Sequence, residues 1–346
     1  MKKEQTPRSC RLNKVGGQAL LEGVMMKSGD DVVLSVRRDD GSIVTASDKF
    51  VSAKKKCKIL GWPIIRGILG FVESLLLSFR TLSRSIDMLG LDEMEEETKF
   101  DKWLKEHLGD KLTGIIMGIA TVLGLALGVG LFVFLPTLVT RLVNDYIIEL
   151  GWVKNLVEGV IKIGIFVLYM WLVSFMGDIR RTFEYHGAEH KSIACYEEGM
   201  ELTPANAAKC SRLHPRCGTS FMIVMLILSI LVFSLPIVPW DNILLRVVIK
   251  LALLPLVMGL GYEFIMYAGK HDNVLTRVLS APGLWMQRIT TREPDEKQLE
   301  IAITSIKLAL KDEFPDFNPA TYSRKAEDTA EESTEEASEE ASEDAE

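Results

Sequence analysis

Apolar residues in this chain are gathered into long blocks rather than spread with a helical or strand period. The run "LTGIIMGIATVLGLALGVGLFVFLPTLV" (112–139) has no charged residue, and roughly 20 apolar residues suffice to cross a bilayer as a helix. A second block, 156–176, is free of charge from Ile163 onward, and a third, 220–240, has none at all. The fourth, 243–268, contains Arg246, Lys250 and Glu263. Its two basic side chains lie near one end, where they can extend to the interface, whereas Glu263 lies deeper and calls for a partner. These blocks predict a mainly α, polytopic membrane protein with about four transmembrane helices over 112–270.

Other patterns fill in the flanks. Residues 59–79 are long enough to span, yet Pro63, Arg66 and Glu73 predict an interfacial or re-entrant helix instead, followed by a charged connector to residue 111. Within an N-terminal segment 1–58, two short β-prone runs flank an Asp-Asp-Gly turn in "VVLSVRRDDGSIVTA" (32–46), the pattern of a hairpin. It follows "GGQALLEGVMM" (16–26), whose paired Gly16 and Gly17 suggest a tight turn or a close backbone approach. Beyond residue 271, two amphipathic helices are expected on either side of a turn at Glu293 and Pro294, up to about residue 318. The ending, 319–346, is low-complexity and acidic, and is expected to stay disordered.

Charge sets the orientation. The formal net charge is −7, but eleven acidic residues lie in 327–346, and without them the chain is at +4. Basic residues are frequent before the first block, including "KKKCK" (54–58), and in the loop 177–219, but sparse in 140–155. The positive-inside bias therefore predicts a multi-pass protein of the cytoplasmic membrane with both termini and the loop 177–219 in the cytosol. No signal peptide is expected, because no basic region leading into a short apolar core and cleavage site precedes residue 31. Five cysteines without a CxxC pair argue for reduced thiols rather than a secreted disulfide framework.

The loop 177–219 carries the chemistry. In "RTFEYHGAEHKSIACYEEG" (181–199), His186 and His190 are one helical turn apart and Glu189 is beside His186. HxxEH is the reversed form of the HExxH metallopeptidase motif, in which two histidines bind zinc and the glutamate activates water. A catalytic zinc site needs a third protein ligand. Candidates at the same membrane level are His214 and Cys217 in "CSRLHPRC" (210–217), Glu263, and His271 after the fourth block. The plainer reading is a polar helix leaving the membrane with its histidines among headgroups. His186, His190, His214 and Cys217 could also close a structural zinc site. Cys217 as a nucleophile beside His214 lacks an orienting partner. Glu263 could ligate an ion, serve a proton pathway in an ion-coupled transporter, or pair with an arginine such as Arg180 or Arg181. The basic run at 54–58 lacks aromatics, so anionic lipid is the expected partner and nucleic acid is not.

"GGQALLEGVMM", "YHGAEHK", "HPRCGTSF" and "TTREP" near residue 290 together resemble the YqhQ-like family of bacterial membrane proteins, a domain of unknown function described as a predicted metal-dependent enzyme. The resemblance runs from about Gly16 to Phe314 and leaves the acidic tail outside. It implies that Gly16, Gly17, Glu22, His186, Glu189, His190, His214 and Cys217 are motif residues. The resulting expectation is a hydrolase using a divalent metal, zinc by donor type, with Glu189 as base and a peptide or lipid-linked substrate reached from the membrane. A scaffold or assembly factor with a structural metal site is the alternative.

Overall fold

The computed structural model describes residues 11–12, 14–55, 58–90, 111–215, 217–235, 237–268 and 274–319. Its N-terminal part is an antiparallel sheet in the order β1-β2-β3-β4, with β1 Gly16–Leu20, β2 Gly23–Ser28, β3 Asp31–Arg37 and β4 Ile43–Lys49. The hairpin expected over 32–46 is the β3–β4 pair, in register Arg37↔Ile43. A second hairpin, β1–β2, pairs Leu20 with Gly23 around a two-residue loop. Glu22 holds the left-handed position of that loop, at φ 47°, which a residue other than glycine seldom occupies.

Side chains alternate across the sheet, and β3 is covered on both faces. Leu20, Met25, Val32 and Leu34 form one buried layer against Leu77 and Met88 of α1 (Ile65–Leu89). Val24, Met26 and Val33 face the main core. Helix α1 stops at Gly90, in the left-handed region. It leaves Val72, Leu75, Leu76 and Phe79 exposed, in keeping with an amphipathic helix.

The apolar blocks become helices α2 Lys111–Val129, a π turn at Gly130–Phe134, α3 Leu135–Tyr146 and α4 Lys154–Val173. Among the described residues, three stretches are long and apolar enough to cross a membrane: Gly118–Tyr146, Gly151–Val173 and Ile243–Tyr267. The third block is shorter than expected, because its helix ends at Phe233 after 16 residues and the sequence then runs into Pro236 and Pro239, which cannot continue a helical ladder. The helix of the second block does not run on through the histidines: it stops at Val173. There α4 ends, Met176 is extended, and α5 (Gly177–Glu197) begins. Helix α5 is followed by Gly199 at φ 75°.

The remaining helices are α6 Pro204–Ala208, α7 Gly218–Phe233, α8 Ile243–Ala268, α9 Val274–Thr290 and α10 Glu296–Ala309. Asp295 caps α10 in a reciprocal box with Gln298. Helix α10 is buried almost all round rather than on one stripe. It lies on β2, β3 and α5 with Leu299, Ile301, Ile303 and Ile306 in the core, and the Ser305 hydroxyl donates to the Val24 carbonyl (3.0 Å). Residues from both ends of the chain thus build the floor on which α5 rests.

Glu263 has its own place in this frame. Its carboxylate accepts from Arg66 Nε (2.7 Å) and Nη2 (2.5 Å) and from the Ile64 backbone N–H (3.3 Å). Arg66, rather than Arg180 or Arg181, is its arginine. Glu263→Gln is therefore expected to leave the metal content of the purified protein at the wild-type level, and a fall in bound metal would place this residue in the site after all.

Candidate metal centre

Helix α5 is set into the core by an unusual contact at Gly187. A Cβ built on Gly187 would lie 2.0 Å from the Arg292 carbonyl oxygen, so the segment after α9 crosses directly over the helix backbone. The Arg292 N–H donates to the Phe183 carbonyl (2.9 Å), and Glu293 reaches Lys191 (2.9 Å) and Arg212 (3.3 Å). This strap brings the Thr290 carbonyl to His186 on one side, and Arg212 with its loop to His190 on the other.

Both imidazoles are oriented by backbone carbonyls. His186 Nδ1 donates to Thr290 O (2.9 Å) and His190 Nδ1 to Arg212 O (2.6 Å). A carbonyl can only accept, so each Nδ1 carries the proton and each Nε2 presents a lone pair. His186 Nε2 lies 3.1 Å from Cys217 Sγ. One ligand atom from each of His186, His190 and Cys217 lies within 4.8 Å of the others. Zinc bond lengths of about 2.0–2.1 Å to nitrogen and about 2.3 Å to sulfur put tetrahedral donors roughly 3.3–3.6 Å apart, so this N, N, S set fits a zinc-type ion with small adjustments. Protonated Nδ1 atoms bonded to carbonyls are also the usual outer partners of metal-binding histidines.

Glu189 sits beside this triangle, with Oε2 3.9 Å from His186 Nε2 and 3.8 Å from His190 Nε2. Burial pushes its carboxyl above the ordinary range, against the opposing pull of His186 and His214 and a bond from the Gly17 backbone. Burial likewise holds His190 below the ordinary imidazole range, which keeps it neutral. Gly17 on β1 is the close approach that the paired glycines suggested. A Cβ there would lie 2.7 Å from Glu189 Cγ and 2.8 Å from Oε1.

The family described as protein of unknown function DUF1385 matches residues 62–312. The chain belongs to this family. Its similarity to the uncharacterized protein YqhQ of Bacillus subtilis (strain 168) is 35% identity over 305 residues, 86% of this chain and 92% of that protein. No solved structure matches the chain. The DUF1385 match takes in all three ligand candidates, the loop that carries Cys217 and the strap after α9, but not the sheet that supplies Gly17.

The other candidate residues of this DUF1385 protein are placed as follows. His214 lies next to the cluster, its ring 5.5 Å from that of His190, with Nε2 3.6 Å from Glu197. Glu22 is bound in two places by Arg181 of α5 and accepts from the Tyr185 hydroxyl (3.2 Å), so it ties the β1–β2 loop to the helix and does not face the ion position. Gly16 has open space around it. Glu263 is held at Arg66 and is not part of the triangle. His271, Cys10, Cys57, most of the charged connector and the acidic tail lie outside the described residues. Gln287 is the residue that sequence reasoning missed. Buried in α9, its amide accepts from the His214 N–H (2.8 Å) and donates to the His214 carbonyl (2.7 Å) and Ser220 (2.8 Å), which fixes the loop carrying Cys217.

Proposed function

We propose that the chain is a metal-dependent hydrolase working at a membrane face, with a zinc-type divalent ion held by His186 Nε2, His190 Nε2 and Cys217 Sγ. The observation that carries this reading is the pair of Nδ1–H bonds to Thr290 and Arg212, which aim both lone pairs toward the Cys217 sulfur. Three protein ligands leave one position for water or substrate. A bound ion of this type supplies Lewis acidity to a carbonyl or phosphoryl oxygen and makes water easier to deprotonate. Glu189 takes the proton from the attacking water and returns it to the leaving group, a role helped by burial, which raises the proton affinity of its carboxylate. Gly17 holds that carboxylate in place through its backbone.

His186 is the most open of the ligands, with 15% of its side chain exposed against 2% for His190, so a substrate would approach along His186. About three turns before His186, at the start of α5, Phe175 and Met176 present an exposed apolar surface. A peptide or lipid-linked substrate arriving from the bilayer suits that apolar end of the helix. In the orientation we propose, α7 is a fourth, short span, the metal centre lies on the cytosolic side, both termini are cytosolic, and the chain is a multi-pass protein of the cytoplasmic membrane. A structural metal site in a scaffold is the second reading, favoured by the burial of His190 and Cys217. Transport has less support, since it leaned on Glu263, which Arg66 occupies.

Cobalt(II) loading of the untagged, detergent-purified chain tests these readings without a known substrate. One cobalt per chain with a thiolate-to-metal absorption band, and visible bands that shift when azide is added, is the expected result. Bands indifferent to azide would favour the structural site. Failure of cobalt and zinc to bind after reconstitution would reject both.

A further inference from the structure

A second cluster of charged side chains lies between α4 and α8, beside the end of α7 that is away from Cys217. On α4, Glu158 and Lys162 are one turn apart. On α8, Arg246 and Lys250 are one turn apart and face them. Relative exposures are 3%, 5%, 0% and 1% respectively, so all four are removed from solvent. Helix α7 connects the two regions: Cys217 caps its start, while Ser229 and Phe233 near its end meet Lys162. Sixteen residues at about 1.5 Å each make this separation roughly 24 Å.

The charges do not balance. Glu158 Oε1 is engaged by Thr137 (2.7 Å) and Lys250, and Oε2 by Arg246 (2.6 Å). Lys162 has only the Ser229 hydroxyl (3.2 Å) and the Phe233 ring (4.7 Å), with no carboxylate among the described residues. Three basic side chains thus surround one carboxylate, an excess of two basic groups in an apolar setting where unpaired charge is costly. Arg246 also keeps a buried Nε without a hydrogen-bond partner. Its guanidinium lies 3.6 Å over Trp240, and Trp240 lines a cavity of about 300 Å³ together with Arg141, Asn144, Asp145, Lys154 and Asp241. One turn before Thr137, the π turn at Gly130–Phe134 interrupts the helix, a feature frequent at functional sites.

We propose that this cluster, entered through the cavity at Trp240, binds an oxyanion of the phosphate class, either free or as a lipid headgroup. A dianion neutralises the excess charge, and guanidinium and ammonium donors together suit phosphate oxygens. The basic residues stand at the end of the bundle where the charge bias of the loops leaves few others, so a role in retaining orientation does not account for them. This site is independent of the metal centre.

Binding is measured on the delipidated full chain in neutral detergent, with inorganic phosphate titrated against chloride at matched ionic strength. Lipid retention is then counted by native mass spectrometry after transfer from discs of phosphatidylglycerol or of a phosphate-free glycolipid. The expected result is one phosphate, or one phosphatidylglycerol, per chain. Saturation by inorganic phosphate identifies the free ion as ligand, and retention of phosphatidylglycerol alone identifies a headgroup. Lys162→Met leaves Glu158 with both of its basic partners, so the fold is kept, and binding should weaken about tenfold or more. Arg84→Gln, on α1 beside the sheet, should bind as wild type. No phosphate-class ligand on the wild-type chain, or equal binding by Lys162→Met, overturns the proposal.

Discussion

Gly187→Ala should dismantle the metal centre without removing any ligand atom. The added methyl would meet the Arg292 carbonyl oxygen at 2.0 Å, and that oxygen belongs to backbone, so neither side can yield by a rotamer change. The strap must lift, losing the Arg292 N–H bond to Phe183 and moving the Thr290 carbonyl away from His186. Overpacking of this kind costs about 1–3 kcal/mol or more, and each lost backbone bond adds about 1 kcal/mol. Thermal unfolding of the metal-free protein should show a clear drop in midpoint, and zinc content should fall with it. A variant with wild-type midpoint and zinc would mean that the strap does not set the geometry of His186.

His190→Ala should have the other large effect, with a different signature. It removes one of three ligands from a site whose binding energy would be on the order of 10 kcal/mol for zinc, and the affinity should drop on the order of a thousandfold. Glu189→Gln, by contrast, should keep the metal while abolishing any turnover, because Glu189 is not among the donors that converge within 4.8 Å of one another and serves as base in the reading proposed here. Equilibrium dialysis against a zinc chelator separates the two variants. Equal metal loss in both would make Glu189 a ligand and the site a closed one.

What could be read from the sequence follows from how local each determinant is. His186, Glu189 and His190 share a helix, so their spacing alone places them together, whereas Cys217 was one of four candidates for the third ligand, with His214, Glu263 and His271. The outer partners were not legible. Thr290, Arg212 and Gln287 act through backbone carbonyls or an amide brought in from α9 and its neighbouring loops, and no periodicity marks such a contact. The strap was expected only as a turn at Glu293 and Pro294, and nothing in it marked its passage over Gly187. Arg66 as the partner of Glu263 needed the packing of α1 on α8, where Gly67 lies against Gly259. The β1–β2 hairpin escaped because its loop is Leu-Glu, without the Asn-Gly or Asp-Gly pair that signals such a turn. The break between α4 and α5 falls at Ser174–Met176, a stretch that contains no proline or glycine.

The position of α10 carries a consequence for how the protein is made. Val24 and Ser305 are bonded to one another, yet every apolar helix lies between them in the chain. During synthesis the sheet emerges first and must wait, with Val24, Met26 and Val33 uncovered, until α10 is released. Contacts so distant in sequence close slowly, and exposed strands in the interval invite association with other chains. The strap over Gly187 is also fixed only when α10 docks behind it. Completion of the candidate metal centre is thereby coupled to the synthesis of α10, and a chain cut short before residue 296 would carry every candidate ligand and still lack the scaffold that aims them.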